Sequence, residues 1–384
     1  MLKGYLYFNI LGLKLMSTSN YRLPTLPLNV NLDTVGILRA QSNAHRHLAE
    51  LKGRTGIIPN QGILIDTLVL QEAKASSEIE NIVTTQDELF QGDLLSHDAL
   101  LSGPVKEVVL YRDALKRGYD AMQKHQGIIT NNTLIELFQL LKGTTGGFRV
   151  TPGTTLTNQT TGEVVYIPPQ DANVIVDQMT KLEKFVNEDG GDHIDPLVKM
   201  AIIHHQFESI HPFPDGNGRI GRILNVLYLV RSNLLEIPIL YLSRGINRSK
   251  PDYYRLLQEV RDDNNWEGWI IYMLNMVAET AQITLKIIDG MRKLMHDYKQ
   301  NMRAEVSKLY SQDLLNNLFR YPYTRIEYVQ NDLGVSRQTA AKYLDQLASA
   351  GFLEKHQAGR NQYYINVRLI DLLLNAAEEK ARGL

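Results

Sequence analysis

Apolar residues recur at helical spacing through most of the chain. Over 32–51 they fall at Leu32, Val35, Leu38, Ala40, Leu48 and Leu51, the three-to-four rhythm of a helix with one buried face. Over 64–79 the candidate core positions are Leu64, Leu68, Leu70 and Ala75, and 105–123 and 132–141 read the same way. The rhythm stops at Gly143. Gly146, Gly147, Pro152, Gly153 and Gly162 punctuate a Thr-rich stretch that ends in the β-branched and aromatic run 163–167. With Thr161-Gly162 as turn and Pro168-Pro169 as stop, a β-hairpin is expected there. Helices resume over 172–187, 196–209, 217–231, 251–260 and 265–300, the last long enough to link domains.

A separate module begins near 307. Leu314, Leu315 and Leu318 mark one helix, and Ile326, Val329 and Leu333 a second. Gly334 makes a turn, and Ser336 is placed to cap a third helix over 337–348, which Gly351 ends. Two short strands, 352–355 and 362–366, flank the polar loop 356–361. Helix, helix-turn-helix, hairpin is the layout of a winged helix. The fold class expected is thus mainly α, a helical core with one β-hairpin, plus a C-terminal winged-helix domain. At the other end, 17–30 is polar, bears Pro24 and Pro27 and should be extended. The apolar run 5–13 follows a lone Lys3, contains Asn9 and lacks a small-residue cleavage site, with Met16 just beyond. It reads as a leader or a mis-assigned start rather than a secretory signal.

Composition narrows the classes. The 384 residues are 43% hydrophobic and 22% charged, which excludes a disordered or rod-like bulk. A net charge of -1 excludes a polybasic nucleic-acid binder at whole-chain level. Cysteine is absent, so there is no disulfide framework, thiolate nucleophile or Cys-ligated zinc, and a cytoplasmic setting is expected. No stretch of ~18 unbroken apolar residues exists, so no membrane partner is expected.

The chemistry concentrates in His211-Pro212-Phe213-Pro214-Asp215-Gly216-Asn217-Gly218-Arg219-Ile220-Gly221-Arg222. This is a Pro-bearing loop that enters a helix with Ile223, Val226, Leu227 and Val230 on its apolar stripe. Gly216 and Gly218 leave backbone N–H groups open at a helix N-terminus, a ready anion site. Asp215 is a hard carboxylate beside it, suited to Mg²⁺ on a phosphate. Arg219 and Arg222, three apart and so on one face, would clamp a polyphosphate. His211 is the only nearby group expected to take a proton near neutral pH. Together these residues point to phosphoryl or nucleotidyl transfer. Rival motifs fail on context. Gly216-x-Gly218-x-x-Gly221, with Glu236 downstream, matches a dinucleotide fingerprint, but a helix and two prolines feed it instead of a strand. His204, His205 and Glu208 do not form H-E-x-x-H and read as core or supporting residues, and no P-loop motif is present.

His211 to Arg222 matches, position by position, the H-P-F-x-D-G-N-G-R-x-x-R signature of the Fic-domain family, and the resemblance extends over about 30–291. The hairpin ending at Ile167 resembles the family's flap, and 241–275 its later helices. Upstream, Ser76-Ser77-Glu78-Ile79-Glu80-Asn81 resembles the inhibitory-helix motif [ST]-x-x-x-E-[GN]. The resemblance divides the chain into an extended leader (1–30), a helical region with the inhibitory helix (31–104), a Fic-type catalytic core (105–300) and the winged helix (305–384).

The resemblance implies a protein adenylyltransferase that moves AMP from ATP to a Ser, Thr or Tyr hydroxyl of a target protein. His211 would be the base and Asp215 would hold Mg²⁺. Gly216, Asn217 and Gly218 would line the anion hole, with Ile220 and Gly221 completing the nucleotide-binding stretch. Arg219 would meet the β-phosphate region, and Arg222 the γ-phosphate, or Glu80 in an inhibited state that also involves Ser76. Val164, Val165, Tyr166 and Ile167 would present the flap edge to the target and help cover ATP. Tyr253 and Tyr254 stand either beside the adenine or in the core. The target, a homodimeric assembly, and addition against removal of AMP stay open. So does a second reading, a DNA-binding regulator in which the Fic domain is a sensor or degenerate module. Its basic groups, Arg337, Lys342, Lys355 and Arg360, fall short of the ~6–10 phosphates a strong binder neutralises, and a winged helix serves protein docking equally well.

Overall fold

The computed structural model describes residues 21–58, 60–85, 88–89, 103–158, 161–188, 193–358 and 361–375. The apolar run 5–13 and Arg360 lie outside them. Residues 21–34 carry no regular structure and lead into helix α1 (Val35–Thr55), which Thr34 caps by accepting from the Ile37 amide. Its buried stripe is Ile37, Ala40, Ala44, Leu48 and Leu51. Val35 and Leu38, expected on that stripe, are 64% and 46% exposed, since at 100° per residue they turn away from the Ile37–Ala44–Leu48 line.

Helix α2 (Gln61–Ile79) is buried on nearly every side, polar Gln71, Glu72, Ser76 and Ser77 included. Helices α3 (Gly103–Lys124) and α4 (Asn131–Lys142) follow, the second closed by Gly143 in the left-handed region. The expected hairpin is short: β1 (Leu156–Thr157) pairs antiparallel with β2 (Val164–Tyr166), Leu156 opposite Tyr166. Helix α5 (Ala172–Asn187) covers α6 (Pro196–Ile210), which packs on α7 (Asn217–Arg231) at the centre of the core. Three helices complete this half: α8 (Leu242–Arg248), α9 (Lys250–Asp263) and the 40-residue α10 (Trp266–Glu305).

The C-terminal domain runs α11 (Gln312–Arg320), β3 (Tyr323–Thr324), α12 (Ile326–Leu333), α13 (Arg337–Ser349), β4 (Glu354–Ala358), β5 (Asn361–Ile365) and α14 (Val367–Asn375). Its sheet order is β3-β5-β4, all antiparallel. The sequence pattern did not separate α8, β3 or α14. Ser336 caps α13 as expected, accepting from the Thr339 amide. The domain seats on the end of α10, where the Tyr298 hydroxyl donates to the Phe352 carbonyl (3.0 Å) and to Asn366 Oδ1 (2.8 Å). Arg320 of α11 also reaches Asp66 of α2, Nε to Oδ2, at 2.6 Å. One apolar core joins both halves. Among the described residues no helix is long and apolar enough to cross a membrane.

Candidate active site

Helix α6 stops because His211 turns left-handed, with φ 49° and ψ 58°. The loop after it is pinned by Asn217, whose Oδ1 accepts from the Phe213 amide while its Nδ2 donates to the Phe213 carbonyl, both at 2.8 Å. Phe213 in turn stacks on Phe138, centroids 4.5 Å apart. The Asn217 side chain therefore fastens the loop and is not free to line an anion hole. Gly216, at φ 77°, is the N-cap of α7 and offers it no side-chain cap. The first-turn amides of α7 thus point, without a capping oxygen, into the site. The Ile220 amide already donates to the Gly216 carbonyl and its side chain is fully buried. Gly221 faces Phe207 and Glu208, where an added Cβ would lie 3.1 and 2.9 Å from them. Both are packed against the core at these points.

Asp215 stays at the mouth, its side chain 64% exposed, with Oδ2 2.7 Å from Lys142 Nζ and Oδ1 accepting from the Gly216 amide at 2.6 Å. Burial would raise its carboxyl, but Lys142, Arg219 and the Gly216 amide outweigh this and hold it below the usual range. The two arginines diverge. Arg219 pairs with Glu107 of α3. Arg222 turns the other way, into α2: Nε donates to Ser76 Oγ (2.8 Å), and Nη2 to the Ser76 carbonyl (3.0 Å) and Glu80 Oε1 (2.9 Å). They form no joint clamp here, and Arg222 meets one oxygen of Glu80 and not two, its Nε and Nη2 also engaging Ser76. Glu80 also lies against the first turn of α7, where a Cβ on Gly218 would come within 2.5 Å of its Oε1.

Three models of known families match the chain. The Fic/DOC family matches 128–229, the Fic/DOC family N-terminal region 38–120, and the C-terminal domain of protein adenylyltransferase SoFic-like 294–369. The chain carries a Fic/DOC domain behind a Fic/DOC N-terminal region. It is 25% identical over 198 residues to a probable protein adenylyltransferase (aq_aa38) of Aquifex aeolicus, strain VF5, covering 52% of this chain and 57% of that one. It is 27% identical over 148 residues to protein adenylyltransferase fic-1 of Caenorhabditis briggsae, covering 37% and 27%. The chain thus spans between about a quarter and just over half of these relatives. A Fic family protein from Desulfovibrio desulfuricans G20 shares the fold, with TM-score 0.52 and 20% identity over 88% of this chain and 97% of that one. A Fic domain containing signaling protein from Bacteroides thetaiotaomicron gives 0.51 and 19% over 65% and 97%.

The Fic segment carries the loop and α7, and the N-terminal family segment carries α2, so the two meet at Arg222. His211 is half-buried, and desolvation first, then Arg149 and Arg261, pushes its imidazole down to about 4. It is not the only proton acceptor in reach. Burial pushes Glu208 up to about 7, and its Oε1 has no hydrogen-bond partner. His204 and His205 are core residues, bonded to the Tyr253 hydroxyl (2.8 Å) and the Leu257 carbonyl (3.1 Å). That bond and the Trp269 ring 5.7 Å away place Tyr253 in the core; Tyr254 is 43% exposed. In the flap Val164, Val165 and Ile167 are exposed. Tyr166 turns in, donating to the Ser209 carbonyl at 2.9 Å beneath the Arg261 guanidinium. Glu107 and Lys142 were missed, since nothing local in the sequence marks a residue whose partner lies on another helix.

Proposed function

We propose that this chain is a protein adenylyltransferase that transfers AMP from ATP to a Ser, Thr or Tyr hydroxyl of a target protein, and that Glu80 holds it silent. The observation that carries this is the 2.9 Å contact from Arg222 to Glu80, set against the uncapped start of α7. A carboxylate of the chain itself engages the buried guanidinium and lies against the anion-binding helix end. The names of the relatives support the chemistry.

In the active state Glu80 leaves, and the α7 amides, Arg219 and Arg222 take the phosphates of ATP. Neutral His211 accepts the hydroxyl proton as the hydroxyl oxygen bonds to the α-phosphorus. The bond from that phosphorus to the α–β bridging oxygen breaks, and pyrophosphate leaves. An exposed hard carboxylate beside the anion site fits Mg²⁺, and Asp215, once free of Lys142, would hold it. When bound, the ion supplies charge neutralisation of the phosphates. The exposed edge at Val164, Val165 and Ile167 would receive an extended target segment, and the C-terminal domain, a winged helix on this reading, would dock a partner.

The test compares wild type with Glu80→Gly using ATP labelled at the α-phosphate. Misplacement by ~1 Å costs ~10²-fold in such reactions, so automodification should rise by about that factor in the variant. Equal labelling of two folded proteins would reduce Glu80 to surface charge.

A further inference from the structure

Residues 143–155 form no helix or strand, yet Arg149 within them is only 4% exposed. Its donors converge on three consecutive carbonyls at the end of α6. Nη2 donates to Ile210 (3.3 Å) and Nε to His211 (2.8 Å), and its backbone amide donates to Pro212 (2.8 Å). A helix C-terminus leaves such carbonyls open and favours a cation. These three also bracket His211, which stands in a left-handed conformation that side-chain-bearing residues seldom adopt without external restraint. No ion pair links Arg149 to a carboxylate among the described residues, and its Nη1 is buried without a partner. A guanidinium kept in the interior on those terms does one job there, which is to hold that turn.

We propose that Arg149 is a positioning residue for the transfer reaction: by gripping the carbonyls of Ile210, His211 and Pro212 it fixes the direction in which the His211 imidazole leaves the backbone. This rests on the reading of His211 as the base. A lysine could not replace it, because one ammonium lacks the planar fork that spans two carbonyls at once. The Arg149 charge also faces the imidazole. Acting on His211 with it are Arg261 from α9, and in the opposite sense the Glu208 carbonyl of α6 and Glu80 of α2.

Arg149→Lys and Arg149→Gln, each in the Glu80→Gly background, separate geometry from charge. Both should lower kcat for AMP transfer about 10²-fold with KM for ATP unchanged. Only the glutamine variant should move the acidic limb of the pH profile upward, because losing a neighbouring cation eases formation of the imidazolium. Titration of the His211 ring by ¹⁵N NMR gives the same comparison without any turnover. If Glu80→Gly itself transfers no AMP, the adenylyltransferase reading falls, while the NMR midpoint still tests Arg149. Folded variants with unchanged kcat, a loss carried by KM alone, or an unmoved His211 midpoint in Arg149→Gln would overturn the proposal. Should the glutamine variant not fold, the lysine variant decides on kcat. Failure of both to fold counts against it, since Arg149 would then hold the fold and not the base.

Discussion

An imidazole held down to about 4 is neutral throughout the physiological range and ready to accept a proton, but it is a weak base. Phosphates bound beside it would favour the imidazolium and draw it toward its working range. Removal of the ring in His211→Ala should therefore cost ~10²–10⁴-fold in AMP transfer and leave nucleotide binding intact. Near-normal automodification by that variant would exclude His211 as the base. Glu208 titrates in the opposite sense. Its carboxyl is raised from the ordinary 4.5 to about 7 in the fold, so its contribution to stability is complete below pH 4.5 and is lost as pH climbs through 7. Glu208→Gln should melt progressively higher than wild type as pH goes from 5.5 to 8. A constant difference between the two Tm values would show that Glu208 does not ionise on folding terms.

At the scale of elements, α2 is riveted along its length. Glu72 accepts from the Ser243 amide of α8 (3.0 Å) and the Tyr111 hydroxyl of α3 (3.3 Å), and Asn247 donates to the Ala75 carbonyl (2.8 Å). Ile63, Leu64, Leu68, Val69, Leu70 and Ile79 are all buried. At ~1.5–3 kcal/mol each, withdrawing the helix costs far more than one phosphate contact returns, so release of Arg222 belongs to the last turn. Ser76→Ala removes one acceptor from Arg222 and leaves Glu80 in place; labelling should fall between wild type and Glu80→Gly. Labelling as strong as in Glu80→Gly would move the hold from the carboxylate to the hydroxyl. How much of this the sequence discloses depends on chain distance. The bounds of α5 and α7 were legible because Asp171 and Gly216 mark their starts, and His211 to Arg222 because its chemistry is contiguous. Short α8 and two-residue β3 carry too few turns or alternations to show a period. Glu107, Lys142 and Arg149 gain meaning only from helices and carbonyls far along the chain. Tyr253 went to the core because its hydroxyl found His204, a partner no spacing reveals.

In the whole molecule the two halves share α10. At ~1.5 Å per residue its 40 residues run about 60 Å without a proline. Trp269, Met273 and Val277 are buried at one end, and Leu294, Met295, Tyr298 and Met302 at the other. Its interior glycine, Gly290, lies directly beneath Leu372 of α14. Melting the C-terminal domain first would strip one end of this helix of its cover, and melting the core first would strip the other. Neither half has a stable state to wait in while the other unfolds. Scanning calorimetry should therefore record a single endotherm whose van 't Hoff and calorimetric enthalpies agree; two resolved peaks would show that the shared helix breaks into independent pieces under heat.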